Sequence, residues 1–153
     1  MPLGFDRLAG DWPAARIDRV ELFDPGLDDL SIGNVDTPGV VRLSSRWFAV
    51  HPDALRRAAL ATPLFHGPLT RQPGQAIAHE FGHCLIDGLG AAARRRSEEC
   101  WHAATRDSRL APGPYALAAG GGEYFSELFA AYDLGMITPA QRERFDYIVG
   151  VRR

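Results

Sequence analysis

The stretch that most limits what this chain can be is His79-Glu80-Phe81-Gly82-His83, inside QAIAHEFGHCLIDGLG. Two histidines four residues apart share one face only if the backbone is helical. Ile77, Phe81, Cys84 and Leu85 mark an apolar side and predict an amphipathic helix ending at Gly88 or Gly90. On such a helix two neutral imidazoles can meet one Zn²⁺ at about 2.0–2.1 Å. Glu80 is poorly placed to replace a histidine. It can instead take a proton from a water at the metal and pass it to a leaving amine. Gly82 permits close packing of another segment. The alternative is a helix with two hydrogen-bonded histidines and no metal.

Catalytic zinc takes three protein ligands and leaves a position for water. Six residues beyond His83 stands Leu89, where a third histidine would be needed, and no Gly-Thr-x-x-Asp-like stretch follows. A glutamate on a later helix remains. GGGEYFSELFAAYDLG, residues 120–135, offers Glu123 and Glu127 at i,i+4, with Phe125, Leu128, Phe129 and Tyr132 apolar at helical spacing. Glu123 can bind zinc, while Glu127 can accept the outer N–H of a histidine ligand and fix its tautomer. A solvated helical face is the other reading of this pair. Glu98 and Glu99 read as surface charge beside Arg94-Arg95-Arg96, itself a solvated face, and His102 is the reserve ligand.

Elsewhere, RIDRVELF (16–23) alternates as a strand with Ile17, Val20 and Leu22 inward, and GVVRLSSRWFAV (39–50) reads as a second strand entered through Pro38-Gly39. Pro52 opens a helix to about Ala61, residues 62–71 form a loop, and Pro73 lies near the start of the motif helix. A charged helix is expected over 91–106, a loop over 110–114, and a hinge or turn at Gly120-Gly121-Gly122. Thr138-Pro139-Ala140-Gln141 has the form of a capping box opening a last helix. The fold class is α+β, with more helix than strand.

The 153 residues suit one domain, and 46% hydrophobic with 24% charged residues permits a packed core. A net charge of −2 gives no support for nucleic-acid binding. No cationic start with an apolar core opens the chain, and no apolar run reaches the roughly 18 residues of a membrane span. The expected address is cytoplasmic, with export by a signal-independent route or expression within a larger polypeptide left open. Cys84 and Cys100 read as buried free thiols.

HEFGH together with EYFSELFAAY resembles the gluzincin zinc peptidases, most closely the catalytic domain of anthrax toxin lethal factor and related compact domains of bacterial toxins and phage proteins. The resemblance is detailed over residues 75–135. It implies a single zincin-like domain over 1–153, with a small mixed sheet, the motif helix and a glutamate-bearing helix. It implies His79, His83 and Glu123 as zinc ligands, Glu127 in support and Glu80 as general base. Asp87, one turn after His83, corresponds to a recurrent aspartate that supports the site; a plain helix C-terminal acid is the equal alternative. Tyr115 in GPYALAAGGGE corresponds, at longer spacing, to a tyrosine that stabilises the oxyanion; loop packing is the alternative. Tyr124 and Tyr132 read as core. The upstream strand would border the cleft and pair with extended substrate. Arg42 or Arg46 would favour acidic substrate side chains, or simply form a solvated face.

The leading expectation is a monomeric zinc endopeptidase acting on a peptide or protein, with Tyr115 or else His102 at the oxyanion. A regulatory peptidase that cleaves repressors is a variant, weakened because no helix-turn-helix module is evident. A non-catalytic zinc domain binding a protein in its cleft, as a toxin or virion part, is the alternative class; Glu80 argues against it, since a structural site needs no base. A helical scaffold without metal is the last.

Overall fold

The computed structural model describes residues 5–24, 33–45 and 74–151. In chain order the elements are α1 (Phe5–Asp11), β1 (Arg19–Phe23), β2 (Gly33–Thr37), β3 (Val40–Ser44), α2 (Gln75–Leu89), α3 (Ala91–Arg106), a 3-10 turn (Ser108–Leu110), α4 (Pro114–Ala118), α5 (Gly121–Asp133) and α6 (Pro139–Val149). The class is α+β, with helices predominating. The helix expected from Pro52, the loop over 62–71, Pro73 and the strand's continuation through Arg46 and Trp47 to Val50 lie outside the described residues.

The strands form one mixed sheet in the order β1-β3-β2. β1 runs parallel to β3, with Arg19 opposite Val40 and Phe23 opposite Ser44, and β2 runs antiparallel to β3. Pro38-Gly39 joins β2 to β3. Gly39 has φ 79°, the positive value a type II turn needs after proline, and an added Cβ would collide with the Asp18 carboxylate. β2 is not expected from the sequence: GNVDT holds one apolar residue and a register shift, so it has no alternation to read.

Two strand expectations are corrected. Val20 and Leu22 do lie on the face of the fully buried Val41 and Leu43, which they oppose in register, yet they are 45% and 65% exposed. Among the described residues β1 is an edge strand, and α2 packs on β2 and β3, so these side chains run past its cover. Ile17 does pack against the core. The second correction concerns β3, which is central. Between Val40 and Ser44 its hydrogen-bonding edges are taken by its neighbours, so it offers no edge to a peptide there. Arg42, opposite Glu21, donates to its carboxylate at 3.3 Å, which accounts for that arginine within the sheet.

The core lies between the sheet, α1 and the later helices. Phe81 of α2 stacks on Phe129 of α5 at 5.4 Å, and Tyr132 stacks on Phe145 of α6 at 4.4 Å. Trp12 meets Phe129, Tyr132 and Phe145 edge-on. α1, too short for a periodic signal, buries Phe5 and Leu8, and Arg7 grips Asp133 through two 2.8 Å bonds. α2 ends against Gly90, with φ 84°. α3 spans the expected residues. Arg94 and Arg95 are exposed, but Arg96 turns to donate twice to the Ile148 carbonyl at the end of α6. α6 opens with both bonds of the Thr138–Gln141 capping box. Cys84 and Cys100 are buried and free, and burial pushes the Cys84 thiol up to about 12. Among the described residues no helix is long and apolar enough to cross a membrane.

Candidate metal centre

α2 and α5 meet at a glycine. A Cβ on Gly82 would stand 2.7 Å from the Ser126 Cα, so the two backbones approach as closely as they do only because position 82 has no side chain. Ser126 lies between Glu123 and Glu127, so this crossing sets both carboxylates against the histidine face. The contacts run antiparallel: Gln75 and His79 meet Glu127, and His79 and His83 meet Glu123.

The start of α5 is fixed. Gly120, with φ 94°, caps α5, and Gly121 fits against α3, where a Cβ would strike Glu98. Ser97 donates to the Gly121 carbonyl at 2.6 Å and Glu98 accepts the Gly121 N–H at 3.1 Å. Of the three glycines expected as a hinge or turn, only Gly120 lies outside the helix, as its cap; Gly121 and Gly122 form the first turn of α5, with Gly121 clamped against α3. Glu98, read as surface charge, holds the first turn of the helix that carries Glu123.

Among the described residues, His79, His83 and Glu123 form a group of metal-ligating side chains whose ligand atoms all lie within 4.8 Å of one another. His79 Nε2 is 3.2 Å from His83 Nε2 and 3.0 Å from Glu123 Oε2, and His83 Nε2 is 3.5 Å from Glu123 Oε1. Tetrahedral ligands at about 2.0–2.1 Å from an ion stand roughly 3.3 Å apart. Two imidazoles and a carboxylate at this separation fit a borderline divalent ion such as zinc.

His79 Nδ1 donates to Glu127 Oε1 at 2.8 Å, which leaves Nε2 turned toward His83 and Glu123. Burial alone would lower the His79 pKa. Its bonds to Glu123 and Glu127, helped by the Glu127 and Glu80 charges, outweigh that and raise it to about 10. Burial works against ionised Glu123 as well, but the two histidines hold its carboxyl far below the usual range.

Glu80 is buried on α2 beside this cluster. The Tyr115 ring centroid lies 5.8 Å from that of His79. Burial, then the Glu123, Glu127 and Glu80 carboxylates, push the Tyr115 hydroxyl up to about 12, so it stays a neutral O–H donor at neutral pH. Tyr115 rides on α4, a helix not expected from the sequence: its first residue, Pro114, ends the expected loop, and five residues are too few for a periodic signal. Bonds from three helices fix this stretch. Trp101 donates to the Leu117 carbonyl at 3.1 Å, the buried Tyr124 to that of Leu110 at 3.0 Å, and Gln141 to that of Ala111 at 2.9 Å.

Two expected residues are not brought to the cluster. Asp87, with a 44% exposed side chain, lies one turn beyond His83, but its carboxylate pairs with Arg94 of α3 at 3.1 Å. His102 is exposed on α3 and lies 3.8 Å from Glu98. One participant escapes the sequence reading. Gln75 donates to Glu127 Oε1 at 2.9 Å, and its only sequence signal is its place one helical turn before His79. Comparison with protein-family models, with curated proteins and with solved structures finds no match.

Proposed function

We propose that this chain is a zinc-dependent endopeptidase of zincin-like fold, with His79, His83 and Glu123 as the metal ligands. The observation that carries this reading is the convergence of the three ligand atoms within 4.8 Å beside the buried Glu80. Zinc bound there would polarise the scissile carbonyl and acidify a water. Glu80 takes the proton of the attacking water and delivers it to the leaving amine. Tyr115 donates its O–H to the oxyanion of the tetrahedral intermediate. Glu127 holds the His79 tautomer. With β3 internal, extended substrate pairs at the outer edge of β2, the edge strand packed against α2 among the described residues. The partner is a peptide or protein, and the chain acts as a monomer in the cytoplasm or after export.

The test is cleavage of a peptide library by zinc-loaded protein, beside Glu80→Gln. The parent is expected to cleave. The variant is expected to keep its zinc and lose about 10²–10⁴-fold in rate, the contribution of a positioned acid–base group. Zinc binding without cleavage of any peptide would favour the non-catalytic domain that holds a protein in its cleft.

A further inference from the structure

We infer that Gln75 is a positioning residue for the metal centre, acting through Glu127; this rests on the zinc reading above. Gln75 is the first residue of α2 and takes no part in capping, because Gly74 precedes it with φ 85° and no side-chain cap bond forms. It stands four residues before His79 and eight before His83, so the three stack along one helix face.

Its Nε2 donates to Glu127 Oε1 at 2.9 Å, and the same oxygen accepts from His79 Nδ1 at 2.8 Å. One carboxylate oxygen is thus held from two successive turns of one rigid element. Glu127 is 6% exposed, and a buried carboxylate depends on its donors. With both, its oxygen is pinned in place for His79. With His79 alone, the carboxylate can swing about its terminal torsion, and the imidazole loses its fixed orientation. The chemistry of the donor also matters. A carboxamide supplies an N–H without adding positive charge, so it secures Glu127 without repelling a cation. A lysine here would do the first and undo the second.

The experiment measures zinc affinity at fixed pH, by competition with a chelating dye, for the parent, Gln75→Met, Glu127→Ala and the double variant. Thermal unfolding of each metal-free protein runs alongside. Methionine keeps the length of the side chain and removes the donor. Gln75→Met is expected to bind zinc about tenfold more weakly, the low end of the range for groups outside the ligand shell, with the metal-free melting temperature unchanged. Glu127→Ala is expected to lose more, and adding Gln75→Met to it to change affinity by less than about twofold, because the two residues act in series. Affinity of Gln75→Met within twofold of the parent, or losses that multiply in the double variant, would overturn the proposal while leaving the zinc site standing. A parent that binds no zinc would overturn the metal reading and this proposal with it.

Discussion

His79 decides how the site responds to pH. In the metal-free protein both its ring nitrogens face carboxylates, and its pKa rises to about 10 against about 6.5 in an unfolded chain. A group raised on folding stabilises the fold fully below its unfolded pKa and loses that contribution as pH climbs to the folded value. The His79 contribution therefore fades between about 6.5 and 10. Glu123 behaves oppositely: its pKa is lowered, so its contribution is present above the ordinary carboxylate value of about 4.3 and is lost on acidification. Zinc requires neutral His79, so binding must expel a proton at any pH below about 10. Calorimetric titration at pH 8, in buffers of different ionisation enthalpy, is expected to count about one proton released per zinc. A count near zero would show His79 already neutral in the metal-free site.

The two helices that carry the proposed ligands depend on Gly82. Gly82→Ala places a methyl group 2.7 Å from the Ser126 backbone, which cannot yield as a flexible side chain would. α5 is then expected to shift, costing about 1–3 kcal/mol in urea unfolding and more than tenfold in zinc affinity. Gly10→Ala, in open space within α1, is the control, expected to leave both unharmed. Unchanged zinc affinity in Gly82→Ala would show that the crossing does not set the ligands. The sequence displays this helix pair well, because i,i+4 spacing maps directly onto a helix face. It displays poorly whatever depends on a neighbour. The exposure of Val20 and Leu22 follows from how far α2 reaches across the sheet. The role of Glu98 follows from where Gly121 lands, and that of Gln75 from the antiparallel crossing that brings Glu127 to it. Asp87 shows the converse: it keeps the i+4 spacing from His83, yet Arg94 on the next helix takes its carboxylate, which no spacing displays.

At the scale of the molecule, the site joins segments more than 30 residues apart. α3 stands between them in sequence and braces the downstream one in space: Ser97 and Glu98 hold α5, and Trp101 holds α4 with Tyr115. The helical half of the fold can be read from periodicity and caps; the sheet cannot, since its central strand is recognisable only once both neighbours are placed. The central claim is that His79, His83 and Glu123 hold one zinc ion together. It is tested most directly by the zinc content per chain of the purified parent and of Glu123→Ala after equal zinc exposure and desalting. About one zinc per chain in the parent and a large loss in the variant is the expected result. No zinc in the parent, or full stoichiometry retained without Glu123, would contradict it.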